Sequence, residues 1–251
     1  MLIEQSAYAN RWRAVSPAAK AVYALCGIVA AFAAVSPAAA LAVAVLLAAS
    51  TTLGAKVPPG RYLRVATPAL FFLATSCVSL TFSLAFSPDT DLAWRLAPDG
   101  VHRVAQVGSR SLGALAALLF LVMTTPLIDL IALLRRLKTP EVLLDIMVLC
   151  YRMLFVFSAA VHDTLTAQSA RLGYATPRLA LRSLGGLTAN LTLQVWQRAH
   201  DLNVAAQARN NDGPLRFLEP RFDHVRRDVT LAAAGGALLL AVAMGWPGLW
   251  R

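Results

Sequence analysis

Long apolar runs separated by short polar segments dominate the chain, and these runs have the length of membrane-spanning helices. The five runs are 21–35, 38–55, 65–86, 104–123 and 229–246. A helix needs about 20 mainly apolar residues to cross the ~30 Å hydrocarbon core of a bilayer. The pattern therefore predicts an all-α integral membrane protein with about five transmembrane helices.

Prolines refine two of these runs. Ser36-Pro37 separates the first run from the second and predicts a tight turn between two helices. Pro68 lies inside the third run, which is also rich in Ser and Thr, so a kinked or partly re-entrant segment is an alternative there.

The segment 124–228 breaks the pattern, because charged residues recur inside each of its apolar runs. It holds 13 Lys and Arg and 9 Asp and Glu. Local start and stop signals predict three helices in it: a short amphipathic helix opened by Thr125 as N-cap and Pro126, a helix over 141–172 followed by Gly173 as the C′ residue, and a helix over 177–210 ended by the Asn-Asn-Asp-Gly-Pro run 210–214.

Three regions follow from these patterns: a transmembrane region 1–123 with four helices, a cytoplasmic region of coupling helices 124–228, and a C-terminal transmembrane helix in 229–251. Each long helix of the middle region would be roughly 48 Å long, which exceeds the thickness of a bilayer core. A sixth span over 142–161 is the alternative. Asp145 and Arg152 oppose it, because each costs roughly 2.5–3.5 kcal/mol near the bilayer centre, unless the two side chains pair across two turns.

Composition and charge agree with a membrane protein. Of the 251 residues, 58% are hydrophobic and 14% are charged, whereas a soluble domain carries about 25% charged residues. The net charge of +10 is explained by the rule that basic residues gather on the cytoplasmic side, so we expect no nucleic-acid partner. The basic residues that set the orientation are Arg11, Arg13, Lys20, Lys56, Arg61 and Arg64. We therefore expect a multi-pass protein of the inner cell membrane with a cytoplasmic N-terminus and cytoplasmic coupling helices.

Signatures of chemistry are few. The chain has no GxxxxGK[ST] phosphate-binding loop, no CxxC pair and only scattered histidines. We therefore expect no catalytic activity, no metal site and no cofactor in this chain. Gly185-Gly186 lies inside the third helix of the charged region and favours a close crossing by another helix, with a simple kink as the alternative.

Two matched dipeptides are the most specific feature. Ala170-Arg171 and Ala208-Arg209 each fall in the last turn of a long predicted helix, and the two arginines are 38 residues apart. A single arginine there would be explained by the helix dipole. Two in matched context favour a role in docking, because the guanidinium fork grips a carboxylate with two hydrogen bonds.

These features resemble those of a known family, the transmembrane (T) component of energy-coupling factor (ECF) transporters. The paired Ala-Arg signatures, the opening Asn10-Arg11-Trp12-Arg13 and the stretch 150–156 are similar to its cobalt and nickel branch, the CbiQ type. The chain departs from the family's pattern at Leu172 and Asn210, where that pattern has glycine.

The resemblance implies a non-catalytic coupling subunit, with Ala170, Arg171, Ala208 and Arg209 as its contact residues. The implied partners are two ATP-binding ATPase subunits, a substrate-binding membrane subunit specific for cobalt, a small accessory membrane subunit, and membrane lipid. Alternatives are a T component for nickel or a vitamin, and an ABC-type permease subunit that itself forms the substrate path.

Overall fold

The computed structural model describes residues 2–87, 90–96, 100–210, 222 and 224–245, with side chains described for 4, 6–80, 102–210, 222 and 224–245. Its helices are α1 (Leu2–Ala9), α2 (Pro17–Ala33), α3 (Pro37–Ala49), α4 (Pro59–Thr81), α5 (Gly100–Thr124), α6 (Leu127–Arg136), α7 (Glu141–Ala170), α8 (Pro177–Ala208) and α9 (Val225–Gly245). A 3₁₀ turn covers Arg11–Ala14 and a π-helical turn covers Ser50–Gly54. The predicted all-α membrane fold is confirmed, apart from one β-hairpin.

Start signals in the sequence place several helices correctly. The Ser36 hydroxyl accepts a hydrogen bond from the Ala39 amide (3.2 Å) at the start of α3. The Thr176 hydroxyl accepts one from the Leu179 amide (3.3 Å) at the start of α8. In both cases proline occupies the first helical turn, where its missing N–H leaves no hydrogen bond unmade.

The expected N-cap at Thr125 is wrong. The Thr125 amide still donates to the Leu121 carbonyl (3.0 Å) and so closes the last turn of α5, while α6 begins at Leu127. Its hydroxyl is buried and makes no hydrogen bond within the described part of the chain. Thr125 therefore closes the preceding helix and does not cap the next one.

The third apolar run also differs from expectation. It forms one continuous helix, α4, that passes through Pro68 and ends at Thr81, before the predicted end near 86. The chain then forms a hairpin of β1 (Phe82–Ser87) antiparallel to β2 (Thr90–Leu96), between the third and fourth apolar runs. The two strands include Phe82, Phe86, Thr90 and Trp94, and aromatic and β-branched residues favour strands.

Length and apolar composition mark five helical segments of the described chain as able to cross a membrane: Pro37–Gly54, Pro59–Leu80, His102–Thr124, Glu141–Ala170 and Val225–Gly245. The helix α2 is apolar but shorter, with 17 residues. The alternative that 142–161 lies in the membrane therefore stays open. Asp145 and Arg152 form no ion pair among the described residues, so the pairing that would ease their burial in lipid is not made.

The chain divides into two compact units, Met1–Leu133 with Glu219–Arg251, and Leu134–Leu218. In the first unit α2 packs against α9 and α5, and α3 packs against α5. Small residues bring these helices close together, since a Cβ added at Gly113 would lie 2.5 Å from Ala31 Cβ, and one at Gly236 would lie 2.6 Å from Cys26 Cβ. Small residues allow such close packing between helices in membranes.

In the second unit the glycine pair of α8 does not have the expected role. A Cβ added at Gly185 would meet no atom within 4 Å, and one at Gly186 would meet only the Gln168 side chain, at 4.0 Å. Within the described chain, no other helix crosses closely at this pair.

Candidate functional site

Arg171 is the residue that ends α7. Ala170 is the last helical residue, and Arg171 follows it as C-cap. The Leu172 amide donates to the Ser169 carbonyl (3.0 Å) and the Gly173 amide donates to the Gln168 carbonyl (2.9 Å). This pair of bonds is a Schellman motif.

The prediction that Gly173 is the C′ residue is wrong by one position. Leu172 takes the left-handed conformation (φ 57°), which glycine adopts more readily. Gly173 is needed at the next position for a different reason: a Cβ there would lie 2.7 Å from Ser183 Oγ and 2.9 Å from the Gln168 carbonyl oxygen.

Arg209 ends α8 in the same way. Ala208 is the last helical residue, and the amides of Arg209 and Asn210 donate to the carbonyls of Ala206 (3.1 Å) and Gln207 (3.0 Å). Asn210 is left-handed, with φ 50°. The backbone of the two signatures therefore matches residue by residue, although neither has glycine after its arginine.

Both arginines of the signatures are exposed and have no side-chain partner among the described residues. Arg171 and Arg209 are exposed, as are Ala170 and Ala208. Neither arginine side chain makes a hydrogen bond or ion pair among the described residues. The helix α8 lies between the two positions in the chain and has 32 residues. Its length is about 48 Å at 1.5 Å per residue.

The turn beside Arg171 is tied by side chains. Gln168 Nε2 donates to the Ser183 carbonyl (3.0 Å), and the Tyr174 hydroxyl donates to Gln168 Oε1 (2.7 Å). The Ser183 hydroxyl donates to the Gly173 carbonyl (2.9 Å). These bonds join the end of α7 to the second turn of α8 and hold the backbone that presents Arg171.

A second polar cluster, in the first unit, was not recognised from the sequence. The Arg13 guanidinium forms an ion pair with the Asp129 carboxylate and lies over the Tyr8 ring, 4.8 Å from its centroid. Lys20 is buried, and its Nζ donates to the Thr124 carbonyl (2.9 Å). We read Arg13 and Lys20 only as markers of orientation. The sequence does contain a signal for this cluster. Asp129 is an acid inside the apolar run of α6, and a buried charge requires a partner of opposite sign.

Comparison with known proteins identifies the family. The CbiQ family, described as cobalt transport protein, matches residues 9–218. The chain belongs to the CbiQ family of cobalt transport proteins. The family resemblance drawn from the sequence is thereby confirmed, and the chain is a membrane component of cobalt transport.

Relatives support this CbiQ assignment. The cobalt transport protein CbiQ of Rhodobacter capsulatus is 37% identical over 220 residues, covering 87% of this chain and 88% of the relative. A putative fused cobalt transport protein CbiMQ of Methanocorpusculum labreanum is 26% identical over 97% of the chain, which spans 41% of that relative. An uncharacterized protein of Methanocaldococcus jannaschii is 36% identical over 48% of the chain, and the match spans 45% of that protein.

The CbiQ match covers both arginine signatures and the Arg13–Asp129 pair, while α9 lies beyond it. Among the described residues, no three His, Cys, Asp or Glu side chains are grouped as a metal site would require. The side chains His162 and Asp163 on α7 are both exposed.

Proposed function

We propose that this chain is the transmembrane coupling subunit of an ECF-type cobalt importer, with Arg171 and Arg209 each docking on one of two ATPase subunits. The observation that carries the proposal is the matched pair of helix ends. Each presents an exposed arginine preceded by an exposed alanine and followed by a left-handed residue. The arginine that each ATPase contacts thus leaves its helix in the same direction relative to the local backbone.

The chemistry of the two ends suits carboxylate-lined grooves on the partners. An arginine can form two parallel hydrogen bonds to a carboxylate, and its charge persists at every physiological pH. Alanine at the preceding position allows the surface of the partner to approach the helix end closely. The separation of about 48 Å along α8 places the contacts far enough apart for two separate ATPase subunits.

In this proposal, ATP binding draws the two ATPases together, and the docked ends of α7 and α8 follow. The long helices then act as levers on a substrate-binding membrane subunit. The fused CbiMQ relative supports such a neighbour, because the match spans 41% of its length and its name describes the whole as a cobalt transport protein.

The distribution of basic residues supports a protein of the inner membrane whose N-terminus, Arg171 and Arg209 all lie on the cytoplasmic side. A cysteine introduced as Leu172→Cys in a chain lacking the native cysteines tests this. A membrane-impermeant maleimide should label it in inside-out vesicles and leave it unlabelled in intact cells. Labelling from the outside of intact cells would contradict the orientation.

Co-purification with the ATPases and cobalt uptake test the docking role. Arg171→Ala or Arg209→Ala should weaken ATPase binding at least about tenfold, because a hydrogen bond to a charged group contributes about 1.5–3 kcal/mol. The double variant should lose cobalt uptake. Arg182→Ala and Arg198→Ala are matched controls, since both arginines are exposed on α8 away from its end.

Full ATPase recovery and normal cobalt uptake by the double variant would overturn the docking role. A permease that forms the substrate path itself makes a different prediction. It would transport cobalt with its ATPases alone, whereas the coupling subunit requires a second, unrelated membrane subunit in the purified complex.

A further inference from the structure

The corner between α5 and α6 is held by side chains from the N-terminal segment. The carbonyl of Thr124, the last residue of α5, accepts hydrogen bonds from Lys20 Nζ (2.9 Å) and Asn10 Nδ2 (3.1 Å). The last carbonyls of a helix have no partner within it, and a cation beside them also interacts favourably with the helix dipole. Lys20 and Asn10 thus hold the end of α5.

Asp129 holds the other side of the corner, in the first turn of α6. Its side chain is only 2% exposed, and one carboxylate oxygen pairs with the Arg13 guanidinium. The other oxygen, Oδ1, is buried and has no hydrogen-bond partner among the described residues. Removing one member of a buried ion pair strongly destabilises the charge left behind. The buried Asp129 carboxylate therefore depends on the Arg13 guanidinium as its partner.

These bonds determine the direction of α6 as well as its attachment. Ile131 is also buried on this helix, but apolar packing is non-directional. Hydrogen bonds and a charge-assisted pair have preferred angles. Three side chains, from Asn10, Arg13 and Lys20, act on both sides of one two-residue connection. The corner is consequently fixed in angle as well as in position.

The position of this corner in the chain gives it a role in transport. All members of the cluster belong to the unit that includes Met1–Leu133. The helix α6 runs from Leu127 to Arg136 and so continues along the chain into the unit Leu134–Leu218, which carries Arg171 and Arg209. Movement of the second unit can therefore reach this corner directly along α6.

We propose that Arg13, Lys20 and Asp129 hold the α5–α6 corner as a fixed pivot for the coupling helices. This inference rests on the proposed coupling function. Arg13 and Asp129 are positioning residues: they contact neither cobalt nor ATP, and they prevent the lever from bending at its base. With the pair broken, ATPase movement is absorbed by the corner, so ATP is hydrolysed without matching uptake.

The test is the ratio of cobalt uptake to ATP hydrolysis by the complete transporter in proteoliposomes. Asp129→Asn and Arg13→Gln should assemble with both ATPases and hydrolyse ATP at near the parental rate, while uptake per ATP falls at least about fivefold, the lower end of typical coupling between sites. Arg13→Lys should retain most of the ratio. Arg11→Gln is the matched control, because the exposed neighbour Arg11 donates only its backbone amide, to the Ala55 carbonyl.

The ratio distinguishes a pivot from a purely structural role. A variant that only folds poorly lowers the amount of assembled complex and leaves uptake per ATP unchanged. An unchanged ratio in both Asp129→Asn and Arg13→Gln would overturn the proposal.

A crosslink provides a second test that does not rely on a stable single variant. Arg13→Cys with Asp129→Cys, in a chain lacking the native cysteines, removes the ion pair, and a short thiol-specific crosslinker can then rejoin the two positions. Crosslinking should restore uptake per ATP, because a fixed pivot tolerates a covalent bond. Failure to restore the ratio would overturn the pivot, since a corner that must open is blocked by the link.

The pivot and the docking function can fail separately. Loss of ATPase binding in Arg171→Ala and Arg209→Ala, together with a normal ratio in both Asp129→Asn and Arg13→Gln, overturns the pivot alone. Full ATPase binding in the arginine variants overturns the docking function, whatever Asp129→Asn does.

Discussion

Leu172 and Asn210 share a left-handed backbone conformation, with φ of 57° and 50°, and each directly follows an exposed arginine. Glycine adopts this conformation without steric penalty, and asparagine visits it more readily than other residues. Leucine has no such tolerance. The ends of α7 and α8 therefore share a backbone conformation but differ in the left-handed residue, and Leu172 after α7 is strained.

Leu172→Gly should stabilise the protein. A non-glycine residue in the left-handed region costs roughly 1–2 kcal/mol, and the side chain removed is 72% exposed, so little packing is lost. The free energy of unfolding in mixed detergent micelles should rise by about 1 kcal/mol. Asn210→Gly is the control and should have a smaller effect. Equal gains from the two changes would show that Leu172 is not strained.

Gly173→Ala should destabilise the turn that presents Arg171. The added Cβ would meet the Gln168 carbonyl oxygen at 2.9 Å, and overpacking of this kind costs typically 1–3 kcal/mol. Thermal melting of the purified protein would detect the loss. Gly185→Ala is the matched control, because the space around Gly185 is open. It should be neutral or stabilising, by up to about 1 kcal/mol. Equal melting temperatures for the two variants would contradict the geometry of the turn.

Gly236→Ala should weaken packing between α9 and α2. Its Cβ would lie 2.6 Å from Cys26 Cβ, so the two helices must separate, at a cost of about 1–3 kcal/mol. Gly245→Ala on the same helix meets no atom within 4 Å and should leave stability unchanged. Resistance to detergent denaturation measures the difference, and an unaltered Gly236→Ala protein would count against this close approach.

Salt should weaken ATPase binding in proportion to the charge carried by the two arginines. The Debye length falls from about 10 Å at 0.1 M salt to about 3 Å at 1 M. Affinity for the ATPases, measured over this range, should fall steeply for the unmodified chain and less steeply for Arg171→Ala with Arg209→Ala. Parallel salt dependences would indicate that the arginines contribute no electrostatic attraction.

The sequence by itself determined most of the helices and the position of the two arginines at helix ends. At Ser36-Pro37 and Thr176-Pro177 the hydroxyl accepts a hydrogen bond from the amide three residues later, and a helix starts. Such local interactions can be predicted from sequence alone. The apolar runs determined the membrane character, because an apolar helix is stable in lipid whichever helices pack against it. Arg171 and Arg209 close their helices close to where the pattern indicated.

Only the tertiary structure decided which charged groups form a pair and which role Gly173 has at the end of α7. Arg13 and Asp129 are 116 residues apart, and no local pattern specifies a pairing over that distance. Leu172 and not Gly173 takes the left-handed conformation, and Gly173 is instead the position where a Cβ would lie 2.7 Å from Ser183 Oγ of α8. Contacts between distant segments override local preference wherever burial makes an unpaired charge or an overlapping atom more costly than a strained backbone.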